Sequence, residues 1–88
     1  MAQIVFPPQL RDVTRGEDRA EVEAGSLRSV LRELEARFPG IGARLAPGDR
    51  LAPGIAVSID GDVSTLGLHS RVEADSVVHI VAAIGGGV

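Results

Sequence analysis

Residues 77–84 read VVHIVAAI, and this stretch decides the fold. Only His79 breaks its apolarity, the pattern of a strand covered on both faces in the middle of a sheet. A strand in that position needs neighbours from earlier in the chain. In AQIVF (2–6), Ile4 and Phe6 alternate with Gln3 and Val5, which reads as a short strand ended by Pro7-Pro8. The expected place of the last strand is beside this first one.

Between the two, the hydrophobic period changes. LRDVTRGED (10–18) is polar, holds Gly16 and reads as a loop. RAEVEA (19–24) alternates again and reads as a second strand, antiparallel to the first if their connection is hairpin-like. In SLRSVLRELEARFPG (26–40), Leu27, Val30, Leu31, Leu34 and Phe38 form one helical stripe. Ser26 is a natural N-cap, Glu33 precedes Arg37 by one turn in the favourable order, and Pro39-Gly40 stops the helix. IGARLAPGDRLAPG (41–54) reads as a loop with room for one helical turn. IAVSI (55–59) is the next strand. Asp60-Gly61 then predicts a two-residue hairpin, because a type I′ turn needs positive φ at both central positions. DVSTL (62–66) is the expected return strand and GLHSRVEADS (67–76) a connecting loop.

One amphipathic helix covers only one face of a sheet, so the fold class is α+β in two layers. The arrangement expected is a β-grasp: a mixed sheet of four to five strands on one main helix. Residues 1–84 form that domain and residues 85–88 a flexible C-terminal glycine tail. The competing ferredoxin-like fold needs a second helix, and STLGLHSRVEADS (64–76) is a poor one.

Composition narrows the function classes. Phe6 and Phe38 are the only aromatic residues, which leaves almost no stacking platform for single-stranded nucleic acid. A formal charge of −3 also opposes a phosphate backbone. All nine Lys and Arg positions are arginine, so no side chain offers a primary amine to a Schiff base or an acyl group. Cysteine is absent, which removes disulfides, thiolate nucleophiles and zinc–thiolate sites; sulfur chemistry here would use sulfur delivered from outside. MAQIVFPPQLR (1–11) lacks the segments of a signal peptide, and no apolar run approaches the ~20 residues of a membrane span. A cytoplasmic protein without nucleic-acid or membrane partners is expected.

His69 and His79 have no clustered carboxylates or cysteines and make no metal site. Asp60 and Asp62 read as turn chemistry rather than a catalytic dyad, and Glu73 and Asp75 as a solvated loop. With no Ser/His/Asp arrangement, phosphate loop or metal motif, the chain is not expected to be an enzyme, and no catalytic residue is assigned.

The chain resembles the MoaD/ThiS family of ubiquitin-like sulfur carriers. The resemblance rests on SVLRELEARFPGI (29–41), VSIDGD (57–62), VEADSVVHIVAAI (72–84) and the closing AAIGGGV (82–88). The long first loop of VFPPQLRDVTRGEDRAEVEAGSL (5–27) is most like the CysO subtype, associated with cysteine biosynthesis and related sulfur transfer. The resemblance implies a protein co-substrate whose terminal glycine carboxylate is adenylated by an E1-like adenylyltransferase/sulfurtransferase and converted to a thiocarboxylate. No cofactor is bound; ATP and a sulfur donor act through the partner enzyme. Sulfur then passes to an accepting synthase, either cysteine synthase-like or one making a thiosugar or other metabolite.

Matching the family's Gly-Gly end places the reacting carboxylate on Gly87, with Gly85 and Gly86 threading into the partner. Glycine suits that passage because it lacks a Cβ, and five extended residues reach ~17 Å. Val88 departs from the pattern: its β-branched side chain crowds the carboxylate, and its removal by a JAMM-type protease is the expected step before activation. By alternation Val78 and Ile80 face the helix with Ile4 and Phe6, while Val77, His79 and Val81 share the open face with Val5. Val5, Val77, His79 and Val81, together with Ile84, form the expected partner-docking patch. The alternative function is a β-grasp binding or regulatory module that docks through its sheet without acyl chemistry.

Overall fold

The computed structural model describes residues 1–48, 50–64 and 66–82. Strand β1 (Ala2–Val5) leads through a 3-10 turn (Pro8–Leu10) into a short helix, α1 (Arg11–Thr14). The sequence reads as loop here. Leu10 is buried and Val13 packs against the core one turn later, and this single apolar pair is what folds the segment onto the sheet. Arg15 and Gly16 then end the helix, both with positive φ (57° and 84°). Strand β2 (Arg19–Val22) returns antiparallel to β1, with Val5 opposite Arg19.

Strand β3 (Gly25–Ser26) runs directly into α2 (Leu27–Arg37). The Ser26 hydroxyl accepts from the Ser29 amide at 3.1 Å, the N-cap its position in sequence suggests. Leu27, Val30, Leu31 and Leu34 are buried along one stripe, and each contributes about 1.5–3 kcal/mol on full burial. Phe38, just past the helix end, meets Phe6 edge-on with ring centroids 5.6 Å apart. Helix α3 (Ile41–Leu45) is the helical turn for which this loop had room; Ile41 and Leu45, four apart, are both buried. Glu35 ties α2 to α3. Its carboxylate accepts from the amides of Gly40 (3.0 Å) and Gly42 (2.8 Å), which hold it below the usual carboxylate range.

Strand β4 (Ile55–Ile59) turns through Asp60-Gly61 into β5 (Asp62–Val63), which is shorter than the DVSTL return strand expected. The turn has positive φ at both positions, 53° and 91°, as a type I′ hairpin requires. The connecting segment that follows carries a 3-10 turn (Gly67–His69) and strand β6 (Arg71–Val72). Buried Leu68 and Val72 anchor it, and β6 pairs with β3 in a separate two-stranded ladder.

Strand β7 (Val77–Ala82) closes the fold. The main sheet has the order β2-β1-β7-β4-β5, with β7 parallel to β1 and antiparallel to β4. The last strand is therefore central and beside the first, as expected. It is not covered on both faces, however. Val78 and Ile80 are buried, but His79 is exposed and Val81 is 49% exposed. The helices share a single core with one side of the sheet, and the other side is open. This is the two-layer ubiquitin-like β-grasp.

Candidate functional site

The open face is organised by how β7 is held. Asp60 accepts from the Val77 amide through Oδ1 and from the Ser76 hydroxyl through Oδ2, both at 2.8 Å. The Val77 amide first, and then Ser76, keep the Asp60 carboxyl below its ordinary range. The turn aspartate thus clamps the start of the central strand. From that point the registers are fixed: His79 stands between Val5 of β1 and Ser58 of β4, and Val81 lies opposite Ala56.

The open face brings together four of the five residues expected to dock a partner. Val5 and Val77 are half-buried between neighbours, while His79 and Val81 are exposed. Ile84 lies outside the described residues, as do Gly85, Gly86, Gly87 and Val88. Two further apolar side chains join the patch, Ala56 on β4 and Val63 on β5, the latter 68% exposed and paired with Ser58. The hairpin register could have located Val63, because a two-residue Asp-Gly loop sets Ser58 opposite it. Along β2 the face becomes polar, with Arg19 donating to the Gln3 side chain at 3.2 Å.

At the far end of β7, Ala82 lies opposite Ile55 and beside a cleft of about 190 Å³ lined by Gln9, Leu10, Arg44, Pro53 and Ile55. Arg44 reaches from α3 across to α1, donating to Asp12 Oδ2 at 2.8 Å and to the Gln9 carbonyl at 3.1 Å. The hydrogen bond from Arg44 holds the Asp12 carboxyl below its ordinary range. Nothing in the sequence marked this bridge, since its partners are more than thirty positions apart. Among the described residues, no group of three or more His, Cys, Asp or Glu could hold a metal ion, and no helix is long and apolar enough to cross a membrane.

Residues 4–87 match the model of the ThiS family. The chain belongs to the ThiS family. Among solved structures it is similar to a chain of the Amycolatopsis orientalis BexX/CysO complex, with 27% identity over 99% of this chain and 100% of that one, at a TM-score of 0.91. Mycobacterium tuberculosis CysO, an antigen, is similar at 24% identity and a TM-score of 0.86, over 96% of this chain and 100% of that one. The small archaeal modifier protein 1 of Methanosarcina acetivorans follows at 19% and 0.78, over 98% and 95%. The last two, at that identity, bear on the fold alone. No curated protein matches the chain.

Proposed function

We propose that this ThiS-family chain is a sulfur carrier whose reacting group is the carboxylate of Gly87. The observation that carries this reading is where the family match stops: it runs through Gly87 and leaves Val88 outside. The central position of β7 supports it, because the strand leading to the glycines is gripped on both edges while its open face stays available to a partner.

The proposed chemistry belongs to partner enzymes. In the active site of an E1-like adenylyltransferase the Gly87 carboxylate attacks the α-phosphorus of ATP, and pyrophosphate leaves. A sulfide equivalent from a donor then attacks the acyl carbon and displaces AMP, which leaves a thiocarboxylate. Glycine keeps that carbon unhindered. The chain itself is a co-substrate, not an enzyme, and works in the cytoplasm where ATP is available. A similar chain is found in complex with BexX, which supports a function exercised through partners. The sulfur goes to an accepting synthase that makes cysteine or another sulfur-containing metabolite. Val88, and anything beyond it, is first removed by a JAMM-type protease.

Intact-mass analysis after incubation with an E1-like enzyme, ATP and sulfide tests this. Protein ending at Gly87 is expected to gain the mass that replaces one carboxyl oxygen with sulfur, while protein ending at Val88 or Gly86 stays unchanged. Thiolation of protein still bearing Val88 would sink the processing step. Partner binding without an acyl-adenylate at any end would favour the alternative, a non-covalent docking module, for which the open apolar face is the supporting observation.

A further inference from the structure

Strand β2 is an edge of the main sheet. Phe6 donates its amide to the Asp18 carbonyl, and bonded pairs alternate along an antiparallel ladder, so Ala20 and Val22 turn their backbone groups toward β1. Arg19 and Glu21 turn theirs outward, where a further strand would pair with them. Two side chains from α2 occupy that position instead. Arg37 Nη2 donates to the Glu21 carbonyl, and Glu33 Oε1 accepts from the Glu23 amide at 2.9 Å. Arg37 and Glu33 are tied to each other as well, Nη2 to Oε2 at 2.9 Å. A donor on Glu21 and an acceptor on Glu23 are what one residue of a parallel strand beside Val22 would present. The ion pair takes a strand's place with side chains alone.

We propose that the β2 edge fits the β2 edge of a second copy of this chain, and that the Arg37–Glu33 pair holds this surface closed. The side chains of the strand identify the occupant. Ala20 and Val22 are buried, so Arg19 and Glu21 share the opposite face, and both are exposed. Arg19 has a neutral partner, the Gln3 side chain at 3.2 Å. Two copies related by a two-fold axis through Ala20 pair antiparallel, with Arg19 of each opposite Glu21 of the other. That register sets opposite charges together on each side of the axis. The neighbouring register, centred on Glu21, sets two carboxylates against each other instead. In the favoured ladder Arg19 and Glu21 exchange backbone hydrogen bonds, which requires the Glu21 carbonyl as an acceptor. Arg37 already holds that carbonyl. The edge is thus closed at the group that self-pairing needs, and the inference is independent of the carrier reading.

Sedimentation equilibrium and amide hydrogen exchange on the full chain test this. Wild type should stay monomeric up to about 1 mM, the range of weak pairing. Arg37→Ala should rise in mass toward a dimer over the same range. Its Arg19 and Glu21 amides should then exchange about tenfold more slowly at the highest concentration than on dilution. Adding Arg19→Glu to that variant sets like charges opposite each other and should return it to a monomer. A second readout needs no variant: in wild type the Glu23 amide, bonded to Glu33, should exchange about tenfold more slowly than the outward Glu21 amide. Folded Arg37→Ala that stays monomeric would overturn the proposal, as would a wild-type dimer through β2. A dimer that Arg19→Glu leaves intact would overturn it too, by placing the contact elsewhere on the molecule. Equal exchange at Glu21 and Glu23 would show that the pair does not close the edge.

Discussion

Asp60 shows how much one residue can do in a chain this short. Its left-handed backbone makes the hairpin, and its carboxylate, accepting from Val77 and Ser76, holds the first residue of the central strand. Those hydrogen bonds place its folded pKa below the unfolded one. The stabilisation is therefore present above the ordinary carboxylate range and lost as pH falls through the folded value. Asp60→Asn keeps a residue that tolerates positive φ but removes the titrating charge. Urea unfolding at a series of pH values should find the variant less stable than wild type near neutrality, with the difference shrinking on acidification. Asp12 and Glu35, also held low, leave a residual acid dependence in the variant. The turn was legible from Asp-Gly alone. The clamp was not, because Ser76 and Val77 lie sixteen and seventeen positions away and only the closed sheet brings them to Asp60.

Among the elements, legibility followed length. Helix α2 repeats its apolar stripe over three turns and carries a cap, so its start and stop could be read directly. Helices α1 and α3 each rest on one apolar pair, Leu10 with Val13 and Ile41 with Leu45, and a single pair has no period. Strands β3 and β6, two residues each, are likewise too short to alternate. The over-reading of β7 has a different cause. Val77 and Val81 are apolar on a face that no helix of the described structure covers, and apolar residues on an open face carry the same sequence signature as those in a core. The cap gives the measurable consequence at this scale: Ser26→Ala should lower unfolding free energy by about 1 kcal/mol, seen as a shift in urea midpoint at unchanged slope. A midpoint unmoved by the substitution would mean that the Ser26–Ser29 hydrogen bond adds nothing net.

For the whole molecule, the two layers separate the core from the sheet face on which the proposed carrier would dock. Among the described residues the buried apolar side chains form one shared core between helices and sheet, while Val5, Val77, His79, Val81, Ala56 and Val63 line the opposite face. Val81→Glu should thus shift stability by no more than about 1 kcal/mol, the span of strand preference. The same change buries a charge on docking, and should raise the adenylating partner's KM for this chain by about tenfold or more with little change in kcat. Steady-state pyrophosphate release with both proteins checks this. An unchanged KM would move the docking surface elsewhere on the molecule.

The parallel pairing of β1 with β7 also bears on how the protein comes into being. Without residues 77–82 the main sheet splits into two hairpins, β2-β1 and β4-β5, and two-stranded pieces are marginal in water. A nascent chain that has emerged only as far as Ser76 therefore holds every helix of the described structure but no centre to pack them on. Folding waits for this last strand, and truncated products remain open to proteolysis. The compact state is thus itself a sign that the chain has been made at least as far as residue 82.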